Sequence, residues 1–385
     1  MSRAPTLGEV VAVLDGFFDP TTAEEWDAVG LVVGDPAAAV QDVLVAIDPT
    51  EDVAAEAVRR GCQLLLTHHP LFLRGVHGVA ETTPGGRVVT TLTRAGCALV
   101  TAHTNADMAR PGVSDALLAV LGVAGEGEAL LPGPPLRLDA LAVHVPVAHR
   151  ERVAAALADA GAGRLGDYDR VAWWGSGTGT FRPLPSARPH LGRVGEVEVV
   201  AEDRLEVVLP PGTRGAVLAA LHRAHPYEEV SHWLWPLEVP SRLGIGRVGE
   251  LPAAEPLGTF TARVAAALPA TAAGVRAAGD PGRSVRRIAV CGGSGGDLAQ
   301  AARSAGADVL LTADLRHHGA LDAVAAAGPA LVDVAHWASE WPWCPAVAQR
   351  LAAALPAITV GVSTRVTDPW SLHVPSPSER SPARP

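Results

Sequence analysis

The stretch VLVAIDPTEDVAAEAVRRGCQLLLTHH, residues 43–69, decides the fold of this 385-residue chain. Its apolar run Val43–Ile47 predicts a strand, Pro49 marks a turn, Asp52–Arg60 predicts a helix, and Gln63–Thr67 predicts a second strand. A strand, a helix and a strand in such close succession indicate a βαβ unit, in which the two strands run parallel and the crossover is right-handed.

The same pattern recurs near the C-terminus, between Arg287 and Asp314. Ile288–Val290 predicts a strand, Asp297–Ala305 a helix and Val309–Thr312 the next strand. The two copies end on closely similar sequences, Leu-Leu-Leu-Thr in the first and Val-Leu-Leu-Thr in the second. The chain is therefore predicted to contain an internal repeat of two α/β lobes that face each other.

Each copy continues into a third predicted strand, which is followed by a histidine and, four residues later, a carboxylate. In the first copy these residues are His103 and Asp107, and in the second they are His336 and Glu340. Ligands in open α/β sheets bind beyond the carboxyl ends of the strands. Both histidine clusters are predicted to lie at such ends.

A different pattern separates the two copies, between Leu136 and Glu238, and Pro-rich linkers flank it. It predicts a small α+β insert with strands and helices at 138–145, 150–160, 173–181, 197–200, 205–209 and 214–224. The predicted organisation is a first lobe at 1–135, the insert at 136–240, a second lobe at 241–366, and a disordered tail rich in Pro and Ser at 367–385.

Composition excludes several classes of function. The formal net charge is −10, and all 31 basic residues are arginines scattered along the chain, so no nucleic-acid footprint is visible. The four cysteines lack any Cys-x-x-Cys pair, which argues against a disulfide framework and a thiolate zinc site and suits a reducing cytoplasm. Because the chain has neither a basic, apolar leader nor a long uncharged apolar run, we expect no export and no membrane span.

The strongest chemical signal is the set of histidines and carboxylates at the predicted strand ends. His68 and His69 would each reach one of two neighbouring ions, His336 and Glu340 would share one helix face, and Asp107 would bridge. Imidazole and carboxylate together suit zinc, iron, manganese, cobalt or nickel. Two ions about 3.5 to 4 Å apart would lower the pKa of a bridging water, as in two-metal hydrolases.

A rival interpretation rests on Gly292–Gly296, which matches the Gly-x-Ser-x-Gly elbow of serine hydrolases around Ser294. His336 and one of three acids would complete a triad, the acids being Asp308, Asp314 and Asp333. The span from Ser294 to His336 is short for that fold, and His68 and His69 would then have no role. Alternatively, the glycine-rich turn binds an anion through its amides. A Walker motif is excluded because the chain has no lysine.

Other polar or aromatic clusters have two interpretations each. The pair His317–His318 belongs either to the site, where His318 joins His103 as a candidate for proton transfer or substrate positioning, or to a polar loop. The segment His225–Glu229 is interpreted as a structural turn or a contact between lobes. Three tryptophans form either an aromatic wall or part of the core, namely Trp337, Trp341 and Trp343.

Taken together, these motifs resemble the Nif-three-like dinuclear-metal-centre proteins, often called GTP cyclohydrolase I type II homologues. The resemblance rests on five stretches, Trp26–Gly34, Asp48–Thr50, Leu66–Leu71, His103–Asp107 and Ala335–Glu340. The insert, through Gly177–Pro183 and Ala224–Glu229, looks like the ferredoxin-like PII/CutA-like domain of the family's longer members.

The resemblance implies a site for two divalent metal ions built from His68, His69, Asp107, His336 and Glu340, in a toroidal homohexamer whose sites face an inner cavity. The leading hypothesis is a cytoplasmic metal-dependent hydrolase of a small phosphorylated or nucleotide-like substrate. The competing hypothesis is a metal-binding oligomeric scaffold or regulator without catalysis, whose insert gates the cavity or senses a ligand.

Overall fold

The computed structural model describes residues 3–374 apart from 124, 126 and 167. The chain divides into two compact units. One contains the chain up to Gly133 together with the chain from Arg242 onward, and the other is Pro134–Ser241.

The α-helices, in chain order, are α1 Leu7–Phe17, α2 Glu51–Arg59, α3 Pro84–Ala95, α4 Thr104–Met108, α5 Val113–Val120, α6 Arg150–Asp159, α7 Arg214–Ala224, α8 Leu257–Ala267, α9 Ala299–Ser304, α10 His317–Ala325, α11 His336–Glu340 and α12 Trp343–Ala354. Short 3₁₀ turns occupy Pro20–Thr22, Val147–His149, Pro211–Thr213 and Gly296–Leu298. Among the described residues, no helix has both the length and the apolar character needed to span a bilayer.

The strands are β1 Gly30–Val33, β2 Asp42–Ala46, β3 Leu64–Thr67, β4 Ala98–Thr101, β5 Glu128–Pro132, β6 Leu136–Pro146, β7 Ala172–Phe181, β8 Glu198–Leu209, β9 His232–Val239, β10 Gly244–Pro256, β11 Val275–Ala278, β12 Ser284–Ser294, β13 Val309–Ala313, β14 Ala330–Val334 and β15 Thr359–Val362. They form three sheets, two in the discontinuous unit and one in Pro134–Ser241.

The first lobe has a five-stranded sheet in the order β1-β4-β3-β2-β15, in which β2, β3, β4 and β15 are parallel. Its central strands β3 and β4 are buried throughout, as expected for parallel strands covered on both faces. Thr50 caps the start of α2 by accepting a hydrogen bond from the Val53 amide, and Gly96 ends α3 in the left-handed conformation.

The second lobe repeats this arrangement in a six-stranded sheet, ordered β11-β14-β13-β12-β10-β5. Its strands β12, β13 and β14 are parallel, so the predicted α/β fold with two βαβ repeats is confirmed. The repeat extends further than the sequence indicated, because β1 pairs antiparallel with β4 and β11 pairs antiparallel with β14. Both edge strands are only partly buried, and they lie outside the strand–helix–strand units from which the repeat was predicted.

The Pro134–Ser241 unit is an antiparallel sheet, ordered β7-β8-β6-β9, with helices α6 and α7. Alternate residues of β6 and β8 share a core with both helices, which places the apolar side of the sheet against them. Two strands predicted at 197–200 and 205–209 are one continuous strand, β8. The polar residues Glu202 and Asp203 lie between the two predicted segments, and both are buried inside that strand.

The C-terminal segment predicted as a tail is described as far as Val374 and has no regular secondary structure there. Residues 375–385 of that prediction lie outside the described residues. The described part of the segment lines a cavity in the discontinuous unit, through Thr367 and Trp370 among others.

A fully buried arginine, Arg247 of β10, ties the second lobe to the first. Its Nε lies 2.9 Å from Oδ1 of Asp115 in α5, and its Nη2 lies 2.8 Å from Oδ2 of the same carboxylate. The remaining donors bind the carbonyl oxygens of Ala109, Gly244 and Gly246. Every group that this arginine binds would lose a partner if the side chain were removed.

Replacing Arg247 with methionine is expected to lower the free energy of unfolding by about 3–5 kcal/mol, because the partly buried Asp115 carboxylate would lose its counter-charge and three carbonyl oxygens would lose a donor. Urea unfolding followed by circular dichroism measures the loss. The matched control is Arg94→Met, which removes an exposed partner of Glu81 and should cost less than about 1 kcal/mol. Equal losses in the two variants would contradict this assignment.

Candidate metal centre

Four imidazoles and two carboxylates converge at the carboxyl ends of the parallel strands. His68 and His69 follow β3. After β4, His103 immediately precedes α4 and Asp107 lies within that helix. The remaining two are the first and last residues of α11, which follows β14, namely His336 and Glu340. The cluster therefore draws on both lobes of the repeat.

Glu340 is at the centre of this cluster and is 3% exposed. His336 Nε2 lies 3.0 Å from Oε1 of Glu340, which is the i,i+4 contact of one helix face. From the first lobe, His69 Nε2 lies 3.1 Å from Oε2, and His68 Nε2 lies 3.5 Å from Oε1. One buried carboxylate thus faces imidazoles from both copies of the repeat.

Each of the four histidines is held through Nδ1 by an oxygen behind it. The pairs are His68 with the Ala102 carbonyl at 2.9 Å, His69 with Asp48 at 2.7 Å, His103 with Asp27 at 2.8 Å, and His336 with Asp314 at 2.7 Å. Because these oxygens only accept, each Nδ1 carries the proton and donates it. Every Nε2 is thereby left to face the cluster, which is the usual orientation of metal-binding histidines.

Two buried atoms of the cluster have no hydrogen-bond partner, His68 Nε2 and Glu340 Oε2. His68 Nε2 also lies 3.8 Å from Oδ1 of Asp107, so its lone pair faces two carboxylates. Buried polar atoms without partners are costly, and acceptors facing each other need a cation between them. The donor set therefore fits a divalent metal ion.

The pKa values of the cluster also indicate that its carboxylates need positive charge beside them. Burial opposes ionisation of Glu340, but His69 and His68 hold its pKa well below the usual range. Burial lowers the pKa of His69 and of His336, yet interactions that include those with Glu340 raise them to about 10 and about 9. Burial raises the pKa of Asp107 to about 6. Without a metal, the cluster takes up protons instead.

The ligand atoms form two overlapping groups, each spanning no more than 4.8 Å. One group is His68, His69 and His103, and the other is His69, His336 and Glu340. Four of the five predicted ligands belong to these groups, while Asp107 lies beside His68 but outside both. His103, predicted to transfer protons or position substrate, lies among the possible ligands.

The structure does not bring His318 into either group. It lies on the exposed first turn of α10, where its ring contacts that of His317, and a catalytic role for it stays a prediction. Ser294 ends β12, and among the described residues it makes no hydrogen bond to His336, whose Nε2 faces Glu340. Trp337 and Trp343 are buried in the core of the first lobe, and Trp341 packs against it.

Three carboxylates hold imidazoles, Asp27, Asp48 and Asp314; the sequence interpretation gave the first two no such role and paired Asp314 with His336 only in the rival triad. A signal existed for two of them, since Asp48 closely follows β2 and Asp314 directly follows β13, at the same edge as the histidines. Asp27 lies outside any strand, and Thr104 also donates to it from the backbone and the side chain. Its role becomes visible only once α4 has been placed.

The glycine-rich turn can lie against the cluster because Gly293 has no side chain. The residue has φ +70°, and a Cβ there would lie 2.4 Å from Oε1 of Glu340 and 3.2 Å from Nε2 of His336. The Gly293 amide donates to Oγ of Ser339 at 2.8 Å, which fixes the turn against α11. After the turn comes a 3₁₀ turn and then α9, which has six residues.

A cavity of about 710 Å³ opens beside the cluster. His69 and His336 reach its wall together with the carboxylates of Asp48 and Asp314. Its rim includes Arg276, which is paired with Asp333, and the exposed ring of Trp370, and its size is that of a site for a small molecule.

Comparisons with known proteins agree with this architecture. A family model described as Duf34/NIF3 (NGG1p interacting factor 3) matches residues 5–369. The chain is 50% identical over 369 residues to a Mycobacterium tuberculosis protein named GTP cyclohydrolase 1 type 2 homolog, covering 95% of this chain and 97% of the relative. A Bacillus subtilis protein of the same name is 37% identical over 341 residues, covering 88% and 90%.

Solved structures show the same fold. A Bacillus cereus protein related to NIF3 superposes with a TM-score of 0.80 at 33% identity, covering 97% of this chain and 100% of that one. Staphylococcus aureus protein SA1388 superposes with a TM-score of 0.82 at 26% identity, covering 96% and 99%. The family resemblance drawn from the motifs is confirmed.

Replacing Gly293 with alanine is expected to destabilise the protein by more than backbone strain alone, because the added Cβ collides with Glu340. The matched control is Gly306→Ala, since Gly306 has φ +69° and no atom within 4 Å of its Cβ position. The control should lose about 1 kcal/mol. Thermal unfolding compares the variants, and equal losses would contradict the close approach to Glu340.

Proposed function

This chain belongs to the DUF34/NIF3 family, and on that premise we propose that it binds two divalent metal ions and hydrolyses a small phosphorylated or nucleotide-like substrate. One observation carries the proposal. Four imidazoles are fixed through Nδ1, three of them direct Nε2 towards Glu340, and two atoms of that cluster are buried without a hydrogen-bond partner. Such orientation from behind is typical of metal ligands.

The two overlapping groups support two neighbouring ion positions, and His69, whose only free lone pair is on Nε2, would serve one of them. His68 and His103 would complete one position, and His336 and Glu340 the other. Asp107, 3.8 Å from His68, is our candidate for a bridging carboxylate. When bound, two divalent ions supply Lewis acidity and a nucleophile that is available near neutral pH.

The protein's own groups orient the reaction and move protons. Burial and the neighbouring His68 lower the pKa of His103, which favours the neutral imidazole that accepts a proton. Asp27 fixes its tautomer from behind. His103 thus suits either a metal ligand or a proton acceptor, and the metal content of a His103 variant distinguishes the two roles.

Support for the substrate class comes from the adjoining cavity and from the relatives' name. The cavity of about 710 Å³ accommodates a small molecule, and the Trp370 ring on its rim is 69% exposed, which leaves a face free to stack on a base. The acidic residues around the cluster would repel a phosphate unless metal ions were bound. A phosphorylated substrate therefore requires the loaded site.

The competing functions lead to different measurements. A scaffold would hold metal without turnover. The homohexamer that we propose for either function is tested separately, by measuring the molecular mass in solution by light scattering. A serine hydrolase would depend on Ser294, for which the geometry offers no hydrogen bond to His336 among the described residues. We therefore favour the metal-dependent hydrolase.

Elemental analysis of protein purified under reducing conditions is expected to find about two divalent ions per chain. His68→Ala and Glu340→Gln should each lose most of this metal, because each removes an atom aimed into the cluster. The control is His77→Ala, which alters an exposed imidazole of a loop and should leave metal content unchanged. Wild-type protein without metal would contradict the proposed site.

Asp48→Asn is expected to weaken metal affinity about 10- to 100-fold while the fold stays intact, because the variant loses the carboxylate that holds His69 Nδ1. Competition with a chromogenic chelator measures the affinity, and circular dichroism checks the fold. Unchanged affinity would show that this hydrogen bond does not orient a ligand.

Hydrolysis of a panel of nucleotides and phosphoesters should require the loaded site, so that chelation and Glu340→Gln abolish turnover while Ser294→Ala retains it. Turnover that survives chelation but is lost in Ser294→Ala would establish the serine hydrolase instead. Stoichiometric metal with no turnover on any member of the panel would favour the scaffold.

A further inference from the structure

The Pro134–Ser241 unit contains a cavity of its own, of about 790 Å³. Phe181, Leu184 and Tyr227 give it apolar and aromatic walls, and Glu202 is among its polar lining residues. The volume lies within the range of small-molecule sites. None of the residues that form this cavity takes part in the metal centre.

One lining residue, Glu202, is exceptional among the buried carboxylates of the chain. The described residues include five such carboxylates, namely Glu56, Asp139, Glu202, Asp203 and Glu340. Three pair with arginines: Glu56 with Arg60 at 2.6 Å, Asp139 with Arg214 at 2.8 Å, and Asp203 with Arg150 at 2.9 Å. Glu340 faces the histidines of the metal centre.

Glu202 is 8% exposed and forms no ion pair with any residue that the structure describes. Its neighbour Asp203 points to the opposite face of β8, where Arg150 and the Ser176 hydroxyl bind it. A buried carboxylate without a counter-charge is costly, and the other buried carboxylates in this fold are provided with one. The missing positive charge at Glu202 therefore indicates a ligand.

The local structure is built to keep this carboxylate in place. A Cβ at Gly179, on the adjacent strand β7, would lie 2.2 Å from Oε2 of Glu202, so the glycine provides the space that the carboxylate occupies. In the same cavity, the Tyr227 hydroxyl is buried without a hydrogen-bond partner, and burial together with the nearby Glu202 carboxylate raises the pKa of Tyr227. The cavity thus contains a buried carboxylate without a counter-charge and, near it, a buried hydroxyl without a hydrogen-bond partner.

The segment His225–Glu229 positions the tyrosine. The Tyr227 amide donates to Nδ1 of His225 at 3.1 Å, and His225 Nε2 in turn donates to the carbonyl oxygen of His144 at 2.9 Å. These two bonds fix the neutral tautomer of a buried imidazole. The Tyr227 ring then packs edge-on against Phe181, with centroids 5.9 Å apart.

The charge of the cavity favours a cation over an anion. It is lined by three carboxylates, Glu202, Glu228 and Glu229, against one guanidinium, Arg182. A metal ion is disfavoured, because among the described residues no group of three His, Cys, Asp or Glu ligand atoms converges in this cavity. The aromatic wall suits an organic cation, which gains from both the carbon contact and the ring face.

We propose that this cavity binds a small organic cation, a protonated amine or amidine whose N–H groups bind Glu202 and whose carbon skeleton packs on Phe181 and Tyr227. The Tyr227 hydroxyl provides a further hydrogen-bond partner for the ligand. This role accounts for Gly177–Pro183 and His225–Glu229, which the metal centre does not use. The unit would then bind a ligand independently of the proposed hydrolysis.

Saturation-transfer NMR on the full chain tests the proposal with benzylamine, benzamidine and agmatine, and with benzyl alcohol as an uncharged analogue. At least one cation should bind at or below about 10 mM, and Glu202→Gln should weaken that binding by about tenfold or more. The matched control is Glu206→Gln on the same strand, which removes an exposed partner of Arg204 and should change nothing. Benzyl alcohol should bind at least about tenfold more weakly than benzylamine.

A second readout does not depend on the choice of probe. Glu202→Gln should raise the melting temperature of the free protein relative to Glu206→Gln, because it removes an uncompensated buried charge. If Glu202→Gln does not fold, Gly179→Ala, which fills the space beside the carboxylate, should show the same loss of cation binding. No binding by any cation, equal binding to Glu202→Gln, or a divalent ion bound there and lost in Glu202→Gln would overturn the proposal.

Discussion

The contact between Glu340 and three imidazoles is the interaction on which the rest of the site depends. A carboxylate that is 3% exposed needs positive charge around it, and His68, His69 and His336 all turn Nε2 towards it. Two of these histidines follow β3 in the first lobe, while the third shares α11 with Glu340 in the second. The cluster forms only when both copies of the repeat are folded and placed together.

The chain brings the two copies together although about a hundred residues separate them. It leaves the discontinuous unit through β5 and returns through β10, and these two strands pair antiparallel, so the ends of the insert lie side by side. Arg247 in β10 then binds Asp115 of the first half. The separation of the two copies along the sequence therefore does not interrupt the discontinuous unit, and the insert can have a separate role.

Much of the fold was predictable because the strands of each βαβ repeat are buried apolar runs, such as Leu64–Thr67 and Val309–Ala313. The histidines were predictable because they follow those strands. The residues behind them were not, since the sequence gives no distance between Asp27 and His103, 76 positions apart. The continuity of β8 could not be predicted for a related reason, because only the structure shows that Glu202 and Asp203, between the two predicted segments, are buried.

Anomalous diffraction from crystals of the purified protein, collected at the absorption edge of the metal that it contains, tests the central claim most directly. Two peaks are expected in the cluster, both within about 2.0–2.3 Å of ligand atoms, one beside His68 Nε2 and one between His336 Nε2 and Glu340. This expectation would be contradicted by a cluster without a peak, in which His68 Nε2 and Glu340 Oε2 are satisfied by protons and water alone.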